Sequence, residues 1–519
     1  MTPVTSTSTS VSRSRRSSKT RPRSSPGTSA SPRTRRMHFA RLPDIRAVQD
    51  PHGPAVADGS THLANADLLA AVHAAAEHLS ELGVGSGDVV ALKLTNRLEF
   101  VVLLFAAWRL GAAVTPINPA ATETETAHQV SDSGAGLVVV EDDAVSAPGA
   151  PTLSVDQVRR TSTREPVEAQ HDPAALALLI YTSGTSGVPK GVMLDHANLD
   201  AMTHMGEQAY EVTHADRCLL ILPLFHVNGI VVSILMTLRA GASVVVAERF
   251  NPATFFDVLE RERPTFFSAV PTIYNMLAAL PDAVRPDTSS VRFALCGAAP
   301  ASADLLARFE RRFGFPLVEA YGLSEGTCGT TTNPIDGVRK AGSVGVPFPG
   351  QEVRILDPYG NALGHGEIGE IAVRGSNVMR GYLGRPEDTA NTIVDGWLRT
   401  GDVGRLDDDG YLTLVGRSKE MIIRGGENIY PKEIEDVLSG DPAVLEAAVV
   451  GVLDEKWGEV VVAFVEARSG ATVDADALKA RCRERLSGYK RPTAIHILES
   501  LPKNAVGKLD KKALVDELA

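Results

Sequence analysis

Between Gly83 and Phe250, short runs rich in Val, Leu and Ile alternate with longer stretches of helical periodicity. No other feature of the sequence narrows the fold as far. "DVVALKL" (88–94) is followed by "RLEFVVLLFAAWRLG" and then "AAVTPIN", with "AGLVVVE" beyond. Strand–helix–strand alternation of this kind belongs to parallel sheets built from βαβ units. The rhythm recurs at "ASVVVAE", "PTFFSAVP" and "VRFALCGAAP". After Gly342 the texture changes to strands with Gly and Pro turns, as in "EVRILDPYGNAL" and "GEIGEIAVRG". From Ser418 a compact segment follows: a helix at "YPKEIEDVLSG", strands "LEAAVVGV" and "EVVVAFVEA", and a helix near "DALKARCRERL". A chain of 519 residues exceeds what one core usually organises. The expected division is 1–36, 37–417 and 418–519, with the second boundary near "VGRSKEMII".

Residues 1–36 carry nine Lys/Arg and no acid, so the formal charge of −11 is the balance of a basic tail and a body at −20. An acidic body argues against nucleic acid as a partner. The tail is Ser/Arg/Pro-rich without an apolar face, a composition expected to be disordered. A start at Met37, a solvated tail, a transit peptide and an arm for an anionic partner all remain open for it. Four cysteines without a CxxC pair suggest a reducing, cytoplasmic setting and no zinc site. Cys218 to Leu238 runs without a charge, long enough to span a bilayer. Pro223, His226, Asn228 and Gly229 would break a lipid-exposed helix there. The expected reading is a buried strand, a turn and an apolar helix, with no stable membrane insertion.

The chemistry concentrates in a few short stretches. "YTSGTSGVPKG", Tyr181 to Gly191, follows the apolar run "ALALLI" and combines glycines, four hydroxyls and Lys190. Glycines let backbone N–H groups converge on an anion, and the hydroxyls and lysine add donors and charge. Pro189 before Lys190 breaks the Walker A spacing, so this is a phosphate loop of another kind. "EAYGLSEG" sets Glu325 beside Ser324; a carboxylate near a phosphate loop repels the ligand unless Mg²⁺ bridges them. "WLRTGDVG" presents Asp402, whose oxygens can take two ribose hydroxyls.

Together "YTSGTSGVPKG", "LPLFHVNG", "GAAP", "YGLSE", "GSVGVP", "RGYLGRPEDT", "GWLRTGDVG", "GRSKEMIIRGGENIYPKEIE" and "PKNAVGK" make the chain resemble the adenylate-forming superfamily from about Ala64 onward. That superfamily comprises acyl- and aryl-CoA synthetases, luciferases and peptide-synthetase adenylation domains. The resemblance implies an α/β fold: a large N-terminal domain of parallel-rich sheets flanked by helices, a β-barrel-like subdomain, and a small mobile α+β C-terminal domain. It implies an ATP-dependent ligase that makes an acyl-adenylate and passes the acyl group to coenzyme A. ATP, Mg²⁺ and coenzyme A are the implied cofactors and co-substrate.

By the same resemblance, Thr182, Ser183, Gly184, Thr185, Ser186, Gly187 and Lys190 hold the triphosphate, Ser324 reaches the α-phosphate and Glu325 carries the metal. Gly297, Ala298 and Tyr321 frame the adenine, Asp402 and Arg417 the ribose, and Ala299, Glu319, Ala320 and Gly322 are also implied at the cofactor. Lys508 bridges the substrate carboxylate and α-phosphate, Lys419 is the hinge, and Gly425 and Gly426 lie along pantetheine. Phe225, His226, Val227, Asn228, Gly229, Thr272, Met276, Gly297, Gly326 and Cys328 are expected around the acid, with His226 as a gate. The usual YGxTE reads "YGLSE", and the usual PxTxxGK reads "PKNAVGK" with Asn504 at the Thr position. Malonate-specific relatives carry an arginine where Met276 stands, so a hydrophobic or bulky monocarboxylic acid is expected. A small, oxalate-type diacid, a carrier protein as acceptor, a luciferase-type oxygenase and a catalytically silent binding module are the alternatives, and a homodimer is left open.

Overall fold

The computed structural model describes Met1 and residues 37–518, apart from 60, 143–146, 163–165, 171, 183–188, 300 and 504–508. The tail, the loop residues Ser183, Gly184, Thr185, Ser186 and Gly187, and Lys508 therefore lie outside the described residues.

The strand–helix alternation folds into two sheets. A seven-stranded sheet runs in the order Gly381–Tyr382, Lys190–Asp195, Leu176–Thr182, Ala113–Pro116, Val89–Lys93, Leu137–Val140 and Thr152–Ser154. A nine-stranded sheet has Leu317–Tyr321, Phe293–Cys296, Phe266–Ala269, Arg217–Leu220, Ser243–Val246 and Pro54–Asp58 as its parallel centre. Central strands such as Val89–Lys93 are buried at every position, as sheets with both faces covered require. The helix Leu98–Arg109 is buried at all positions except Glu99, so it is a core helix and not a surface one. Its Trp108 is fully buried, and the indole Nε1–H is satisfied by the Ala177 carbonyl at 2.8 Å.

The uncharged run from Cys218 is a strand, Arg217–Leu220, a turn, and then a helix. The expected apolar helix is present, wound more widely than an α-helix. Gly229–Met236 winds as a π-helix, every residue of it buried, before continuing as Thr237–Arg239. Wide turns of this type are often found at functional sites. Among the described residues, no helix is long and apolar enough to cross a membrane.

The stretch expected to be barrel-like is a five-stranded antiparallel sheet whose hub is Trp397–Leu406. Residues after Arg417 form their own five-stranded sheet, Glu427–Ile429, Ile422–Arg424, Gly458–Ala467, Val444–Asp454 and Ala494–Leu498. It buries Ile434, Val449, Val461, Val465 and Leu478 against the helices Pro431–Ser439 and Ala475–Arg485. A second small cluster on this lobe holds Phe464, Leu501 and Leu514.

Candidate active site

The ends of both large sheets, the antiparallel sheet and the start of the small lobe surround one cavity of about 1200 Å³. From the phosphate side come Thr182 and Lys190; from the segments after Cys296 and Tyr321 come Gly297, Ala298, Ala320, Tyr321, Gly322, Ser324 and Glu325. Asp402, Arg417 and Lys419 close another wall, and Phe225, His226, Val227, Asn228, Thr272, Met276 and Cys328 line the remainder. Residues up to 325 positions apart in the chain (Leu94 to Lys419) thus meet on one surface.

Some expected residues stand back from it. Gly326 is buried behind Glu325, its carbonyl accepting from Asn377 Nδ2 at 2.7 Å. Gly229 opens the π-helix, where an added Cβ would lie 3.0 Å from the Pro223 carbonyl. Glu319 turns inward, with Oε1 accepting from the Ala301 amide at 3.1 Å. Ala299, Gly425 and Gly426 are also outside the cavity lining.

Backbone geometry explains why these segments cannot be replaced by generic loops. A Cβ on Gly322 would sit 1.7 Å from the Cys328 carbonyl oxygen, so the two strands of that turn close only over glycine. Ala298 (φ 66°), Thr327 (φ 53°) and Cys328 (φ 96°) are non-glycine residues in the left-handed region, and Ala298 and Cys328 line the cavity. Strain of this kind, costing on the order of 1–3 kcal/mol per residue, persists where surroundings over-determine it, typically at binding sites.

The charged groups are arranged in pairs. Asp402 and Arg417 face each other across an antiparallel ladder, and Arg417 Nε lies 3.0 Å from Asp402 Oδ1. The other carboxylate oxygen accepts from the Tyr321 hydroxyl at 2.6 Å. Burial and then Asp402 push the Tyr321 phenol well above its usual range, so it stays a donor. Arg399 is bound to Glu370, its Nε at 2.8 Å. Lys190 Nζ sits 2.9 Å from Asp388 and 5.2 Å from the centre of the Tyr382 ring. The Tyr382 hydroxyl donates to Glu325 Oε1 at 2.9 Å.

Among the described residues, no group of three or more His, Cys, Asp or Glu could hold a metal ion. Glu325 therefore stands on the cavity wall outside any such cluster. That suits Mg²⁺, which binds through one or two carboxylates with substrate phosphates and water, and not a cation caged by protein ligands alone.

Glu319 is 5% exposed, and burial raises its carboxyl to about 7, with the Ala301 amide and Lys432 acting the other way. A raised carboxyl binds a proton more tightly in the folded chain, so its stabilising effect is full below the ordinary value of 4.5 and is lost as pH rises to about 7. Glu319→Gln is expected to remove that slope, stabilising the chain at pH 8 relative to pH 5 by on the order of 2–3 kcal/mol. Thermal melts of both proteins at the two pH values check this; parallel shifts would exclude it.

Several lining residues carried no sequence signal of their own. The helix His196–Tyr210 contributes Met202, Thr203, Gly206 and Tyr210 from one face, and the π-helix contributes Val231, Val232 and Met236. An added Cβ on Gly206 would meet Met236 Sδ at 2.7 Å, so the thioether fills the space that glycine leaves. The spacing of Met202, Gly206 and Tyr210 by four was the available clue, and it reads equally as core.

The family described as "AMP-binding enzyme" matches residues 40–383, and the "AMP-binding enzyme C-terminal domain" matches residues 433–508. The chain is 39% identical over 477 residues to a feruloyl-CoA synthase of Amycolatopsis sp, covering 90% of this chain and 96% of the relative. It is 36% identical over 500 residues to an oxalate–CoA ligase of Arabidopsis thaliana, covering 91% and 95%. The solved O-succinylbenzoate coenzyme A synthetase of Bacillus subtilis, in complex with ATP and magnesium ion, superimposes with a TM-score of 0.83 at 34% identity. That match covers 92% of this chain and 98% of that one.

Proposed function

The chain belongs to the AMP-binding enzyme family of CoA ligases, and on that premise we propose that its acid is a bulky, largely apolar monocarboxylate. The general reaction follows from the family: ATP-dependent, AMP-forming ligation of an acid to the thiol of coenzyme A. A carboxylate resists attack because charge must be pushed onto an already anionic group. Joining it to the α-phosphorus of ATP gives a mixed anhydride and releases pyrophosphate; the thiolate then displaces AMP.

In this reading Asp402 accepts from the ribose hydroxyls while Arg417 and the Tyr321 hydroxyl hold its carboxylate still. Lys190 and Thr182 contribute to the triphosphate grip, and Ser324 donates to the α-phosphate. Mg²⁺, held by Glu325, neutralises phosphate charge when bound. Lys508 neutralises the charge that develops between the carboxylate and the α-phosphate, and Gly425 and Gly426 lie along pantetheine during thioester formation. His226 stands beside Phe225 at the acid, their rings 4.3 Å apart.

The observation that carries the choice of acid is that, among the described residues, no uncommitted cation stands at one buried, largely apolar end of the cavity. Met202, Gly206, Tyr210, Val231 and Met236 are buried residues of that lining. The cationic side chains on the wall lie elsewhere: Lys190, Arg399 and Arg417 are paired with Asp388, Glu370 and Asp402. Arg249 is exposed, next to Glu248 and Phe250, and Lys419 is at the lobe junction. A second carboxylate pushed into that end would be buried without a partner, which costs several kcal/mol. ATP–pyrophosphate exchange across aryl, fatty, polycyclic and dicarboxylic acids, with mass detection of the CoA product, tests this. An aryl or other bulky monoacid is expected to exceed oxalate and succinate by at least about tenfold in kcat/KM. Preference for a dicarboxylate would overturn the assignment and favour the activity named for the plant relative.

A further inference from the structure

The stretch "RGYLGRPEDT" (380–389) is one that the functional reading leaves without a task. Its Gly381–Tyr382 pairs at the edge of the seven-stranded sheet against Lys190–Asp195, with Tyr382 opposite Val192. Met193 O accepts from the Arg380 amide at 3.0 Å, and Gly191 O from the Leu383 amide at 2.8 Å. The Tyr382 amide donates to Thr389 Oγ1 at 2.9 Å, which ties the turn to the helix Pro386–Thr392. An added Cβ on Gly381, whose φ is 141°, would come within 2.6 Å of Thr389 Cγ2, so the turn closes only over glycine.

This rigid turn brings Tyr382, 9% exposed, between Lys190, assigned to the triphosphate, and Glu325, assigned to the metal. Its ring lies below the Lys190 ammonium, and its hydroxyl donates to Glu325 Oε1. A backbone bond from the Met379 amide to the Glu325 carbonyl, at 2.8 Å, fixes the other end of that residue. Among the described residues no donor bonds to Glu325 Oε2, which leaves that oxygen to a cation.

We propose that Tyr382 is a positioning residue for the metal carboxylate: its hydroxyl locks one oxygen of Glu325 so that the other is presented to Mg²⁺ on the ATP phosphates. The inference rests on the reading of Glu325 as the metal's protein ligand. A freely rotating glutamate loses rotamer entropy when it binds a cation, and a hydrogen bond made in advance removes that cost. Partners of this kind typically change metal affinity by about 10- to 100-fold when removed.

Tyr382→Phe deletes only the hydroxyl and keeps the ring below Lys190. Equilibrium ATP binding, followed calorimetrically in EDTA and across a Mg²⁺ titration, reads the effect without turnover. A Mn²⁺ titration in the presence of ATP, followed by electron paramagnetic resonance, reads it independently. Expected for Tyr382→Phe are unchanged metal-free ATP affinity and a metal midpoint raised by about tenfold or more. Glu325→Gln is the reference and should abolish the metal-dependent gain. If Glu325→Gln does so while Tyr382→Phe leaves the midpoint within twofold, the positioning role is wrong and the site reading stands. If neither variant moves the midpoint, the assignment of Glu325 fails and the inference with it. Loss of metal-free ATP affinity together with thermal stability in Tyr382→Phe would assign the tyrosine to packing and overturn the proposal.

Discussion

Lys508→Ala is expected to slow acyl-adenylate formation by about 10²–10³-fold while thioester formation from supplied acyl-adenylate stays within a few-fold of wild type. The asymmetry comes from where charge develops. In the first half-reaction an anionic carboxylate approaches a phosphorus already surrounded by anionic oxygens, so a cation between them is worth most at the transition state. In the second, a thiolate attacks a neutral acyl carbon and AMP leaves, and the same lysine has little to neutralise. The small lobe anchors the chain on both sides of this residue. Leu501 and Leu514 are buried with Phe464, and Lys503 Nζ lies 2.9 Å from Glu446. A thermal melt of the variant separates a loss of chemistry from a loss of folding. Single-turnover measurement of each half-reaction decides it: equal loss in both would reject the role.

How much of this was legible in the sequence depended on whether the signal was local. The parallel sheets were legible because strands such as Val89–Lys93 are buried on both faces and so carry an unbroken apolar run. Asp402 was legible because its motif surrounds it in the chain. Its partners came with different clarity: Arg417 was named, but the Tyr321 hydroxyl bond spans 81 positions and no spacing announces it. The same holds for Tyr382 and Glu325, 57 positions apart. The apolar helix after the turn was legible, but its π winding over Gly229–Met236 was not, because an all-apolar run has no polar face to reveal its period. Met276 was expected in the acid pocket and does line the cavity, yet it is 47% exposed, which places it at the mouth. Glu319 is a carboxyl among motif residues, and only the burial of its side chain separates an inward-facing carboxyl with a raised pKa from a ligand group.

Lys419→Pro should separate the half-reactions in the opposite sense, keeping acyl-adenylate formation and suppressing thioester formation by about 10²-fold, the loss that a misplaced reacting geometry produces. Lys419 is the middle residue of a single helical turn, Ser418–Glu420, joining the strand Leu412–Arg417 to the first strand of the small lobe. Arg417, two residues before it, and Glu420, the residue after it, are tied in opposite directions. Arg417 is bound to Asp402 of the large lobe at 3.0 Å, and Glu420 to Lys511 of the small lobe at 2.9 Å. Lys511 also reaches Glu435 at 2.8 Å, so the small-lobe anchor is itself braced. Any rotation of one lobe against the other that keeps both anchors must be absorbed at residues 418 and 419. Proline fixes φ near −65° and disfavours the helical region at the residue before it, so both positions lose freedom at once. A helical φ suits proline at 419 itself, so the acyl-adenylate step is expected to survive, with the cost falling on Ser418. A stopped-flow experiment that forms acyl-adenylate first and then adds coenzyme A measures each step on the same sample. Unimpaired thioester turnover in the variant would mean that the lobes pivot elsewhere or do not move. Loss of both steps together would mean that proline distorts the Asp402–Arg417 pair and the nucleotide site with it, and thermal stability of the nucleotide complex distinguishes that outcome from a blocked hinge.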